Sequence, residues 1–347
     1  MLTRNDKLTI YFIYQKLVIN FFIVFYIFER EIEMSKNKFI HALLNNSISE
    51  MQSIPKSELH SHAGRGGAIS YIERWANIKI NTPTTPFSTL SEMNKWLNDN
   101  IKCYCPSGVE GYLLRVEAAF AQASADNVQV LALSYGMDEI AELGGMNNFI
   151  KQMNYMHQKF APRTDFFPDL ALGYSSDKLD MLDEIFSYKW FHAIDIMNYS
   201  YTYSMKELKE ICKKAKDYGL VLKAHVGEFG SADDVMRYAE ELELDEIQHG
   251  IAAAKSPQIM QWLAKHKIKL NVCPTSNVML KNCDNYATHP IRLLYDYDVP
   301  VTINTDDLLI FNSTLSEEYL HLFNSGLMNE YELYEICQTG LCHNYVK

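Results

Sequence analysis

Imidazole and carboxylate side chains that could bind one metal ion occur at three separate places in the chain. His60 and His62 are two residues apart, so an extended strand would turn both rings to the same face. His225 and Asp306 are the other candidates, and each follows a short apolar run. Three imidazoles and one carboxylate form a ligand set suited to Zn²⁺, with one coordination position left for water. Zinc would lower the pKa of that water and so provide a hydroxide nucleophile.

Two further side chains near these candidates could move protons. Glu228 lies three residues after His225, and His249 ends another predicted strand, at 246–249. Taken singly, each has a structural interpretation: His249 as a buried histidine bonded to the backbone, Glu228 as a first-turn helix acid, and Asp306 as a helix cap. Their joint occurrence at the ends of predicted strands would require several coincidences. A catalytic site is therefore the better interpretation.

Short apolar runs that alternate with amphipathic helical segments predict how these residues are positioned. A helix is predicted at 204–218, where four apolar residues would form one buried stripe. Eight βα repeats predict an α/β fold, a single (β/α)8 barrel of the TIM type with extra helices, whose strands end at one rim. The predicted strands are 57–62, 127–135, 166–173, 191–197, 220–225, 246–249, 269–273 and 299–304.

A doubly wound open sheet is the alternative fold. Such a sheet normally has a glycine-rich phosphate turn after its first strand, and Gly64, Gly66 and Gly67 lack the G-x-G-x-x-G spacing. The barrel is therefore preferred. The segment 79–110 is too long for a plain βα loop, and with a helix predicted near 88–96 it is a candidate lid.

Composition limits the class of protein and its location. The 347 residues carry a net charge of −11 with no basic cluster, which argues against nucleic acid as a partner. Seven cysteines without a C-x-x-C pair predict a reducing, cytoplasmic location. Residues 8–28 are apolar but interrupted by polar residues, so a membrane anchor is the lesser alternative. We expect 1–33 to be an extension from a start assigned too early, with Met34 as the true start and 34–347 as the barrel.

Five segments, SELHSH, KAHVGE, QHGI, CPTSN and INTDDLLIFNSTLSEEY, resemble in sequence and order those of the adenosine deaminase family of zinc amidohydrolases. The resemblance runs from about Pro55 to Tyr319. It implies a (β/α)8 barrel with one zinc ion per chain, a purine nucleoside substrate, and hydrolytic replacement of the purine 6-amino group by oxygen. The zinc ligands that it implies are His60, His62, His225 and Asp306.

The resemblance also implies roles for three other residues. Glu228 would protonate purine N1, His249 would orient and stabilise the attacking hydroxide, and Asp307 would hydrogen-bond N7. Addition to the ring destroys its conjugation, so the reaction needs both a strong nucleophile and a proton on N1. Glu228 must therefore have a raised pKa to donate at neutral pH. The fourth strand lacks the lysine of a binuclear site, which favours a single metal.

Departures from the family pattern concern the substrate. Gly64 stands where the family has Asp or Asn, so an acidic contact to the ribose 5′-hydroxyl is missing. We expect Arg65 to bring a planar cation to the same rim, near the ribose. Asn198 stands where the family has a glycine that contacts the purine. We therefore expect 5′-substituents to be tolerated. Adenosine or a close 6-aminopurine relative is the leading substrate, and the alternatives are adenine, a 5′-modified adenosine or nucleotide, or a nucleoside-binding relative without catalysis.

Overall fold

Eight parallel strands, paired in chain order, form one curved sheet in the computed structural model, which describes residues 33–173, 179–197 and 202–342. All eight predicted strands are present, with ends that differ by a few residues. This confirms the (β/α)8 barrel. The strands are β1 Lys56–Glu58, β2 Val128–Gly136, β3 Asp165–Leu172, β4 Ala193–Ile196, β5 Val221–Val226, β6 Glu246–His249, β7 Lys269–Val272 and β8 Val301–Ile303.

Helices connect and surround the strands. The predicted helix at 204–218 is confirmed as α9, which begins with a capping box between Ser204 and Glu207 and buries the predicted stripe. The helices are α1 33–44, α2 Ile48–Gln52, α3 Ile69–Ala76, α4 Leu90–Asn100, α5 Gly108–Ala125, α6 Met137–Glu142, α7 Met146–Phe160, α8 Leu182–Ser187, α9 Met205–Asp217, α10 Ala232–Glu241, α11 Pro257–His266, α12 Pro274–Met279, α13 Ile291–Asp296, α14 Leu308–Phe311, α15 Leu315–Asn324 and α16 Glu330–Leu341.

The barrel closes between β1 and β8 through irregular backbone at its rim. Regular pairing of β1 stops two residues before His60, earlier than the sequence predicts. The Leu59 N–H donates instead to the side-chain Oδ1 of Asn304 at 2.7 Å. The Asp306 N–H donates to the His60 carbonyl at 3.0 Å. Closure therefore brings two candidate metal ligands together directly.

A layer of buried polar side chains fills the barrel interior below the rim. Lys223 on β5 is fully buried, and its Nζ lies 2.8 Å from Asp169 Oδ2 and 3.8 Å from Glu246 Oε2. The Asn271 amide donates to Glu246 Oε2 at 2.8 Å. Buried charges are tolerated only when they are paired and hydrogen-bonded in this way. The layer thus ties β3, β5, β6 and β7 to one another beneath the rim.

The segment 79–110 packs against the rim. Its helix is α4, which begins two residues later and ends four residues later than the predicted helix, and Thr89 caps it by accepting from the Glu92 N–H at 3.1 Å. Met93 and Leu97 on α4 are buried in an apolar cluster shared with α3 and α14. The lid role of this segment stays a prediction.

The predicted extension 1–33 and apolar run 8–28 lie outside the described residues, apart from residue 33. Across the described ranges, no helix combines the length and the apolarity that a membrane crossing requires.

Candidate active site and metal centre

The candidate side chains meet at the carboxyl ends of the strands. They surround a cavity of about 700 Å³, and His60 is buried directly against this group. This convergence follows from the barrel, because residues far apart in sequence share a rim when they end parallel strands. The cavity is lined by His62, His225, Glu228, His249, Asp306 and Asp307, together with residues of α4, α5 and α6.

Three imidazole nitrogens and one carboxylate oxygen face a common point. His60 Nε2 lies 3.0 Å from His225 Nε2 and 3.7 Å from Asp306 Oδ1. His62 Nε2 lies 3.1 Å from the same Asp306 oxygen. The donor atoms of the three histidines are all within 4.8 Å of one another. Such spacing suits ligands that share one metal at about 2.0–2.2 Å each.

The hydrogen-bond partners of Nδ1 show where the ring proton lies in His60 and His225. His60 Nδ1 lies 3.1 Å from the Asn271 carbonyl oxygen, and His225 Nδ1 lies 2.9 Å from Asp195 Oδ1. Both partners only accept, so each Nδ1 carries the proton and each Nε2 presents a lone pair. Two lone pairs that face each other at 3.0 Å repel unless a cation lies between them. The donor set therefore fits a metal ion.

Charge and burial favour the neutral, ligating form of His60. Burial and the neighbouring His225 ring lower the pKa of His60 to about 3. Burial alone would raise the pKa of Asp306, but the facing His62 and His60 rings lower it well below its usual range. Ser276 Oγ donates to Asp306 Oδ2 at 2.7 Å, which leaves Oδ1 directed at the histidines. The neutral His60 ring and the ionised Asp306 carboxylate are the protonation states that metal ligands require. Burial alone would lower the pKa of His62, but the Asp306 and Asp307 carboxylates raise it to about 9, so a metal ion must displace the proton of His62 when it binds.

Glu228 and His249 lie beside this group. Glu228 follows Gly227, which has a left-handed backbone with φ +73° and packs so closely against Val235 that any side chain there would collide with it. Glu228 is buried, and its Oε2 lies 3.6 Å from His249 Nε2. His249 itself has a left-handed backbone with φ +64° at the end of β6. Strained backbone of this kind is concentrated at functional sites.

Sequence reasoning did not assign Asp195, Asn271 or Ser276, although each contacts a candidate ligand. Asp195 also accepts from Ser134 Oγ at 2.7 Å, so both its oxygens are bonded. Burial alone would raise the pKa of Asp195, but interaction with His225 lowers it well below its usual range. The available signal was a carboxylate inside the apolar run AIDI of β4. A buried strand keeps such a residue only when it has a partner.

The predicted substrate contacts have different outcomes. Arg65 Nη1 donates to Asp307 Oδ2 at 2.9 Å, and Arg65 Nη2 donates to Asn94 Oδ1 at 3.0 Å. Asp307 Oδ1 is buried beside the cavity without a hydrogen-bond partner among the described residues. Gly64 lines the cavity, and its carbonyl accepts from Arg115 Nε at 3.0 Å. Asn198 lies outside the described residues.

Comparisons with known proteins agree with the sequence motifs. The family model for adenosine deaminase matches residues 189–345. A putative adenosine/adenine deaminase of Treponema pallidum is 29% identical over 294 residues, which cover 82% of this chain and 96% of the relative. An amidohydrolase of Burkholderia ambifaria with bound zinc superimposes with a TM-score of 0.66, at 17% identity over 86% of this chain and 87% of its own. Arabidopsis ADAL complexed with IMP gives a TM-score of 0.68, at 16% identity over 86% and 94%. The comparisons therefore support the resemblance of this chain to the adenosine deaminase family, which the family model finds in residues 189–345.

Proposed function

We propose that this protein is a zinc-dependent hydrolase that deaminates adenosine or a closely related 6-aminopurine, with one zinc ion per chain. The observation that carries the proposal is the pair of Nε2 lone pairs on His60 and His225, 3.0 Å apart, beside His62 and Asp306. The likeness of the chain to a putative adenosine/adenine deaminase and to a zinc-containing amidohydrolase supports it.

The proposed division of work follows from the positions of the side chains. When bound, zinc supplies activated water as the nucleophile at neutral pH. Glu228, buried and facing the same cavity, donates a proton to purine N1 and so relieves the charge that builds up on the ring. His249 holds the attacking water by a hydrogen bond from its Nε2.

Metal analysis tests the zinc part of the proposal. Full-length protein loaded with zinc and then dialysed should retain about one ion per chain. His225→Ala should lose most of it, whereas the exposed His41→Ala serves as the matched control and should retain it. Full zinc occupancy in His225→Ala would remove His225 from the ligand set.

A 6-aminopurine 5′-nucleotide is the second candidate substrate, because three cationic side chains lie near one another in the lining of the cavity. Arg65, Lys102 and Arg115 all line it. Partial burial lowers the pKa of Lys102, and the nearby Arg115 and Arg65 lower it further. Lys102 has no ion-pair partner within the described ranges, so an anionic group would relieve this repulsion. The solved structure of Arabidopsis ADAL holds IMP, which is a nucleotide.

The ratio of kcat/KM for AMP to kcat/KM for adenosine separates the two substrates. If the cations bind a 5′-phosphate, Lys102→Ala should lower this ratio about tenfold, whereas Lys95→Ala on the outer face of α4 should not change it. An adenosine preference of more than about a hundredfold in the wild-type protein would exclude the nucleotide.

A further inference from the structure

His249 Nδ1 has a different kind of hydrogen-bond partner from the Nδ1 atoms of His60 and His225. His60 and His225 donate from Nδ1 to a carbonyl and a carboxylate, respectively, so their Nε2 atoms are unprotonated. His249 Nδ1 instead lies 3.2 Å from the amide nitrogen of Asn277. An amide NH₂ group only donates, so His249 Nδ1 accepts and its proton lies on Nε2.

A second histidine fixes which way the Asn277 amide points. The Ile291 backbone N–H donates to His289 Nδ1 at 3.1 Å, so the proton of the neutral His289 ring lies on Nε2. That Nε2 lies 3.2 Å from Asn277 Oδ1 and donates to it. Burial lowers the pKa of His289 to about 3, which keeps the ring neutral. The Asn277 oxygen must therefore face His289 and its nitrogen must face His249.

We propose that His289 and Asn277 are positioning residues that hold His249 as the Nε2–H tautomer, with the proton aimed into the cavity. All three side chains are buried, at 1%, 0% and 1% exposure, so water does not compete for these hydrogen bonds. The His249 tautomer follows from the Ile291 backbone N–H, which can only donate and therefore fixes the direction of the later hydrogen bonds. The catalytic use of that proton rests on the proposed function.

The hydrogen bonds from His289 to Asn277 and from Asn277 to His249, together called the relay, give His249 a different function from its neighbours. These neighbours are the candidate metal ligands His60, His62 and His225. An unprotonated Nε2 can bind a metal ion through its lone pair, whereas a protonated Nε2 cannot and instead donates a hydrogen bond to an oxygen. His60 and His249 rings are only 4.5 Å apart between centroids, so proximity alone would allow His249 to ligate. The hydrogen bond from Asn277 therefore keeps His249 out of the ligand set and available to hold the attacking water.

Asn277→Asp is the sharpest perturbation because it keeps the shape of the side chain. Its carboxylate can still accept from His289, but it offers no proton to His249. His249 should then carry its proton on Nδ1 and donate to the new carboxylate, leaving a bare Nε2 toward the cavity. We expect kcat to fall about a hundredfold or more, with KM changed less than about threefold, because the lost hydrogen bond acts on the attacking water.

Nitrogen NMR of full-length protein loaded with zinc and labelled with ¹⁵N-histidine reads the tautomer without any substrate. Long-range ¹⁵N–¹H correlations distinguish a protonated from a bare ring nitrogen, and His249→Gln assigns the signal. We expect His249 with Nε2 protonated in the wild-type protein and with Nδ1 protonated in Asn277→Asp. A wild-type His249 protonated on Nδ1 overturns the proposal, even if every variant misfolds.

Two substitutions of His289, the residue farthest from the cavity in this series of hydrogen bonds, provide a matched pair. His289→Gln keeps an N–H that can donate to Asn277, and should retain the His249 tautomer and kcat within about fivefold. His289→Leu removes that donor, so the His249 signal should become a mixture of tautomers and kcat should fall at least tenfold further. Equal kcat values in these two variants would overturn the relay. If the tautomers are as expected but no 6-aminopurine is deaminated, the proposed function fails and the tautomer assignment stands.

Discussion

Asp195→Asn should weaken zinc binding although Asp195 does not face the metal position. Asp195 Oδ1 accepts from His225 Nδ1 at 2.9 Å, and neither side chain is more than 2% exposed. The amide oxygen of Asn can still accept this hydrogen bond, so the main loss is the negative charge that makes the imidazole a stronger ligand. A charged hydrogen bond is about twice as strong as a neutral one. Partners of this kind contribute about 10–100-fold to metal affinity, or about 1.4–2.8 kcal/mol.

Asp195→Ala should weaken zinc binding further than Asp195→Asn. It also removes the acceptor of the Ser134 hydroxyl and leaves the His225 tautomer unfixed. Competition with a chromophoric chelator at constant pH measures both affinities in the full chain, and Asp165→Asn at the exposed start of β3 is the control. A zinc affinity of Asp195→Asn within about twofold of the wild-type value would refute the reasoning, because His225 would then not depend on this carboxylate.

Three other predictions concern catalysis, stability and the chain start. Glu228→Gln should keep zinc and substrate affinity but lose about three orders of magnitude or more in kcat, because only the proton is removed; near-normal turnover would require another acid. Lys223→Met should lower the free energy of unfolding by about 3–5 kcal/mol in urea titrations, since Asp169 stays buried without its partner at 2.8 Å, and a loss below about 1 kcal/mol would contradict this. Protein without residues 1–33 should be soluble and fully active, and membrane association of the full chain with misfolding of the truncated form would instead favour an anchor.

Local sequence patterns predicted the strands because they are short segments buried on both faces, and the helix α9 because its apolar residues recur on one buried face. The stripe Leu208, Ile211, Cys212 and Ala215 is buried as its spacing indicates. The early end of β1 was not predictable in the same way. It depends on the Asn304 side chain, which takes the Leu59 N–H across the closing seam of the barrel. A contact between residues 245 positions apart leaves no trace in local periodicity.

The convergence of the candidate ligands was predictable because the strands of a barrel end at one rim. The residues that orient these side chains were harder to predict. Asn277 lies in the segment CPTSN, but the orientation of its amide depends on a hydrogen bond from His289. His289 lies before α13 and has no regular spacing from this segment. Arg65 was expected near the ribose, but its ion pair with Asp307 joins two residues that were assigned separately. Pairwise geometry of this kind appears only in three dimensions.

Turnover of 6-aminopurines by the full-length protein loaded with zinc tests the proposed activity most directly. Adenosine, adenine and AMP should be supplied separately, with ammonia and the 6-oxo product measured together. We expect equimolar ammonia and 6-oxopurine from at least one of them, with the rate lost on zinc removal and restored on its return. A protein that retains one zinc ion per chain but releases no ammonia from any of the three would contradict the proposed function.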